Sequence, residues 1–130
     1  MTAPLAFKDP RRHLIEWGGL EPVLAEITFW LLDHAWPTAM PAMVTSIWRT
    51  FGENAAAGAR TDVHCQSPHR AIDLSLRGLS GTDVDRIVKM TNAEWLYDPL
   101  RLTLKVAYIH NAGSGEHLHL QCHSNTKRLT

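Results

Sequence analysis

Near the C-terminus, residues 102–110 and 117–122 are β-rich, and the Gly-rich stretch Asn111-Ala112-Gly113-Ser114-Gly115 separates them. That pattern predicts a hairpin whose return strand begins at His117. It commits the chain to an antiparallel sheet, and two other segments offer partners for it. Residues 43–49 are rich in β-formers, and residues 71–76 alternate as a half-buried strand does.

The helices follow from spacing and punctuation. Residues 20–36 predict a helix: Pro22 suits a first turn, and Val23, Leu24, Ile27, Trp30, Leu31 and Trp36 recur at helical intervals. Pro37 and Pro41 stop it. A short helix is expected within 53–59. Ser80-Gly81-Thr82-Asp83 offers caps for another over 82–92, with Val84, Ile87 and Val88 as its apolar face. Residues 1–12, polar and proline-containing, are expected to form a loose arm. The reading is one α+β domain over 1–130, with its core in about 20–123: a small antiparallel sheet flanked by helices.

Charge and composition exclude some functions. Lys+Arg and Asp+Glu number 13 each, so formal net charge is zero. A nucleic-acid binder driven by bulk charge would be basic. No apolar run reaches the roughly 18–20 residues of a spanning helix. Met1 to Pro10 lacks an apolar stretch after a basic start, so no secretory signal is expected. The two cysteines, Cys65 and Cys122, are not in a C-x-x-C pair and read as small buried side chains.

Histidines carry the chemistry. Five of the eight fall in two clusters, His64 and His69 in one, His117, His119 and His123 in the other. His117 and His119 share a strand face, because side chains alternate with period two. Asp73 sits among Leu and Ile, where a carboxylate costs several kcal/mol unless it is paired or metal-bound. A hydrolytic metal site needs three protein ligands, an open position and a group that moves protons. His119, Asp73 and either His64 or His69 supply the ligands. Glu116 or His117 supplies the proton carrier, and Arg49 can hold a carboxylate or an oxyanion. This donor set suits zinc, and also iron or manganese. His34, His110 and His123 read as packed or solvated residues outside the site. Trp48, beside Arg49, is a candidate wall for a substrate groove.

Taken in order, Thr45-Ser46-x-x-Arg49, a histidine-bearing loop, Arg70-Ala71-Ile72-Asp73 and Glu116-x-x-His119 resemble the zinc D-alanyl-D-alanine peptidases. The resemblance spans about residues 43–121. It implies the hedgehog/DD-peptidase fold, zinc as cofactor and peptidoglycan stem peptides as substrate. It implies Asp73 and His119 as ligands, Glu116 as base and Arg49 as the group that steadies substrate or transition state. The family's first ligand histidine aligns with Gln66, so the loop differs in length here. His64 requires two extra loop residues and His69 three fewer. A longer surface loop is easily tolerated, which favours His64, whereas Ser67-Pro68-His69 echoes the family's Ser-x-His.

Three functions are in contention. The first is a zinc peptidase of a phage or prophage, an endolysin-like lytic enzyme that stays in the host cytoplasm until release or travels in the virion. The second is a non-catalytic, metal-binding phage structural or wall-binding module of the same fold. The third, an iron oxygenase, normally starts from His-x-Asp or His-x-Glu, and no such pair occurs. A short chain with few residues for a lid favours an open, endopeptidase-type groove.

Overall fold

The computed structural model describes residues 3–59, 61–111 and 115–129. Five strands form one sheet in the order β1 (Leu5–Phe7), β2 (Ala42–Ser46), β3 (Ala71–Ser75), β6 (Glu116–Gln121) and β5 (Ala107–Asn111). β1 runs parallel to β2, and the remaining neighbours are antiparallel. Four helices accompany them: α1 (Pro10–Gly18), α2 (Pro22–His34), α3 (Phe51–Ala56) and α4 (Gly81–Glu94). A separate two-stranded ribbon pairs β4 (Trp95–Leu96) with β7 (Lys127–Arg128). The architecture is α+β as expected, but the sheet is a five-stranded mixed one rather than small and antiparallel.

The parallel edge strand comes from the segment expected to be a loose arm. Ala42 N–H donates to Pro4 O at 2.8 Å and Lys8 N–H to Val44 O at 2.9 Å, which stitches β1 to β2. Asp9 then caps α1 by accepting from Arg12 N–H, with Pro10 in the first turn. Arg12 fastens α1 to the far side of the site, donating to Glu53 and to Trp48 O at 2.7 Å. Short β-pairing and capping signals hid behind the polar, proline-marked composition of this stretch.

The predicted helix over 20–36 is α2, whose Leu24, Ile27, Leu31 and Leu32 are buried. The cap at Ser80 holds as expected, accepting from Asp83 N–H, and α4 buries Ile87 and Thr91. The strand expected over 102–110 is shorter: Asp98 and Arg101 organise successive turns ahead of it, with Leu100 N–H on Asp98 Oδ1 at 2.9 Å. Pairing begins only at Ala107. Part of the Gly-rich turn, residues 112–114, lies outside the described residues.

Alternation divides the sheet into two unlike faces. Ile72, Leu74, Leu118 and Leu120 are fully buried in the apolar core together with α2 and α4. The opposite face carries Asp73, His117, His119, Gln121, Tyr108 and His110, as their cross-strand register requires. Arg49, Thr61, Val63 and His64 lie beside that polar face, around a cleft with Tyr108, His110 and His119. Arg49 N–H donates to His64 O at 2.9 Å, which ties the His64 backbone to the end of β2.

Candidate metal centre

His119 and Asp73 are direct cross-strand partners in β6 and β3. Cys122 N–H donates to Arg70 O, so 70/122 is a hydrogen-bonded pair and 73/119, three steps on, is a non-hydrogen-bonded one. Side chains stand closest in such pairs, and His119 Nδ1 lies 3.0 Å from Asp73 Oδ1. His64 reaches the same oxygen from the single 3₁₀ turn Val63–Cys65, its Nε2 at 3.2 Å. The donor atoms of His64, Asp73 and His119 lie within 4.8 Å of one another, and all three residues are buried. This cluster can hold a metal ion.

Hydrogen bonds fix the tautomers of both rings. His64 Nδ1 is 2.7 Å from Ile47 O, a group that only accepts, so Nδ1 carries the proton. Gln121 Nε2 donates to Lys105 O at 2.9 Å, which turns Gln121 Oε1 toward His119 Nε2 at 3.0 Å. His119 therefore donates outward from Nε2. In the neutral rings, the inward nitrogens are lone pairs facing a carboxylate oxygen. Three acceptors this close need a cation or a shared proton among them. Outward N–H groups on a carbonyl or amide are the usual support of metal-binding histidines.

Charge follows from burial. Burial pushes the His119 ring below the ordinary histidine value, against the pull of Asp73. Burial would push the Asp73 carboxyl up, but the imidazoles of His110, His119 and His64 hold it well below the usual carboxylate range. Arg49 completes its surroundings, donating to Oδ2 at 2.8 Å, and its other arm faces Asn54 Oδ1 at 3.4 Å. Asn54 in turn donates to Thr61 O at 2.7 Å and closes the loop after α3.

His110 is the residue that sequence reasoning left outside. Its sequence position predicts a solvated strand end, yet its Nε2 is buried, makes no hydrogen bond and lies 3.5 Å from Asp73 Oδ1. Its signal was the register: β5 pairs with β6 so that Tyr108 meets His119 and His110 meets His117. The alternation rule puts all four on one face.

The other candidates lie apart from the cluster. His69 is joined to the link between α1 and α2: its N–H donates to Gly19 O at 2.9 Å, and its O accepts from Glu21 N–H. Its ring lies beside Trp48. Of the two candidate histidines, the structure brings only His64 to Asp73. Glu116 is exposed and pairs with Asn111 in regular register, so it shares parity with Leu118 and Leu120 and faces away from His119. His117 shares the face of His119, but its Nδ1 donates to Gly115 O at 2.9 Å. Both cysteines are free thiols, and burial pushes Cys122 up to about 12.

A cleft of about 430 Å³ opens over the cluster, lined by Arg49, His64, His110 and His119 among others. Thr61, Val63 and Tyr108 also line a second recess of about 330 Å³. No helix among the described residues is long and apolar enough to cross a membrane. No family model, curated protein or solved structure matches the chain.

Proposed function

We propose that this protein is a zinc-dependent peptidase that hydrolyses amide bonds in peptidoglycan stem peptides, as a lytic enzyme of a phage or prophage. The observation that carries the metal is the pair of outward-tied imidazoles whose lone pairs converge on Asp73. An open cleft above them leaves room for a substrate carbonyl, as a catalytic rather than a closed structural site requires. The reaction and substrate class rest on the resemblance of the 43–121 segment to the zinc D-alanyl-D-alanine peptidases.

His64 Nε2, His119 Nδ1 and an Asp73 carboxylate oxygen would hold the ion. Bound zinc supplies Lewis acidity and lowers the pKa of water toward neutrality. Arg49 holds Asp73 in place through Oδ2 and presents positive charge at the cleft, where negative charge develops on the attacked carbonyl oxygen. His110, whose Nε2 lies 3.5 Å from Asp73 Oδ1 without a hydrogen bond, is the proton carrier: it takes a proton from the attacking water and passes it to the leaving amine. Glu116, on the other face, and His117, held to Gly115 O, give way to it.

The displaced Glu116 favours a second reading, a metal-binding wall module without hydrolytic activity. Metal analysis coupled to digestion of purified peptidoglycan separates the two. The peptidase predicts about one zinc per chain and new amino termini that a chelator abolishes. Intact stem peptides under full zinc loading would overturn it in favour of the module.

A further inference from the structure

The outer edge of the sheet borders the cleft. Gln121 N–H donates to Val106 O at 2.9 Å, so 106/121 is a hydrogen-bonded pair of the β5–β6 ladder. By alternation, Tyr108 and His110 point their backbone groups inward to β6, and Ala107, Ile109 and Asn111 point theirs outward. At Ala107 the outward edge is closed. Asn92 of α4 places its amide there as a substitute strand, accepting from Ala107 N–H at 2.9 Å and donating to Ala107 O at 2.8 Å. At Ile109 and Asn111 no described residue makes the corresponding bonds. An open strand edge is a template for another extended chain.

We infer that the Ile109–Asn111 edge of β5 binds the main chain of an extended peptide substrate and lays it across the His64–Asp73–His119 centre. This inference rests on the peptidase reading and deepens it. The open part of the edge coincides with the cleft, since Ile109, His110 and Asn111 line it together with Gly58 and Ala59. The second recess, which shares Thr61, Val63 and Tyr108 with the cleft, is lined also by Thr103 and Lys105 ahead of the strand, where a chain longer than one dipeptide could extend. Pairing to backbone explains how a shallow site can hold a peptide with few dedicated side chains. It also favours cleavage inside a chain over trimming of a terminus. His110 then projects from the strand that the substrate joins, so its ring is set relative to the scissile amide by the strand pairing itself.

Amide hydrogen exchange of the zinc-loaded protein tests this, with and without a linear stem peptide in an excess that outlasts the exchange period. The Ile109 and Asn111 amides should slow by about tenfold or more with peptide. The Ala107 amide, already bonded to Asn92, should not change. Hydrolysis with no added protection at Ile109 and Asn111 would overturn the edge inference and keep the peptidase reading. Protection at both amides without hydrolysis supports the edge and overturns the peptidase reading. Neither protection nor hydrolysis overturns both.

Discussion

His119 stands directly opposite Asp73 in a non-hydrogen-bonded pair of neighbouring antiparallel strands, with Nδ1 3.0 Å from Oδ1. Cα atoms in such pairs are about 4.5 Å apart, so the backbone itself presents two of the three donors. The third comes from His64 in a loop, held by its contacts with Ile47 and Arg49. His64→Ala, Asp73→Asn and His119→Ala should each lower zinc affinity by more than the about 10–100-fold typical of a supporting residue. His69→Ala should leave affinity unchanged. Zinc titration against a competing chelator measures all four, and normal zinc binding in His64→Ala would refute the assigned triad.

Gln121 would act on a bound metal through His119. Its amide, oriented by Lys105 O, holds the proton on His119 Nε2 and so keeps Nδ1 free to coordinate. Gln121→Leu should weaken zinc binding by about 10–100-fold. Gln121→Glu still offers an oxygen to Nε2 and should retain most of it. Equal losses in the two variants would show that packing, not the tautomer, is what Gln121 provides.

How much of this was legible depended on the range of the signal. The strand at Asp73, the return strand at His119 and the helix with Leu24, Ile27 and Leu31 all announce themselves by period, because one face of each is apolar and packs in the core. The choice between His64 and His69 was not decidable from spacing, since it turns on where a loop is fastened. The Gly19–His69 and Arg49–His64 backbone bonds that decide it join residues far apart in the chain. His110 escaped for a related reason: its partner Asp73 lies two strands away, and only register links them. The N-terminal segment escaped because three residues of strand carry too short a pattern to outweigh a polar, proline-marked context.

In the proposed mechanism His110 takes the base role that the family resemblance implies for Glu116. His110→Gln should keep zinc and lower kcat by about 10²–10⁴-fold, the usual worth of a general base. Glu116→Gln, altering an exposed side chain on the other face, should keep both zinc and turnover. The opposite outcome, with Glu116→Gln inactive and His110→Gln normal, would require the start of β6 to leave its regular register in the working enzyme.

Arg49 and Asp73 form a buried ion pair, so removing one partner strands the other's charge. Arg49→Met should destabilise the metal-free protein by about 3–5 kcal/mol. Zinc restores positive charge beside Asp73, so the loss should be smaller in the zinc-loaded protein. Denaturant unfolding of both forms gives the comparison, and equal losses with and without zinc would show that Asp73 does not face the ion.

Away from the metal centre, His13 gives the fold a pH dependence of its own. Its ring is buried in α1, and its Nδ1 accepts a hydrogen bond from Asp9 N–H at 3.2 Å, which only the neutral ring can do. Burial holds its pKa below the ordinary 6.5. The unfolded chain therefore takes up the proton first as pH falls. The His13 contribution is complete above 6.5 and is lost as pH drops through the lower folded value. His13→Gln keeps an acceptor for Asp9 N–H without titrating. The stability advantage of the natural protein over this variant should shrink as pH falls below 6.5 toward the lower folded value. Denaturation midpoints collected across that range measure the difference, and a constant gap would show that the folded and unfolded chains take up the His13 proton alike, as a solvated ring does.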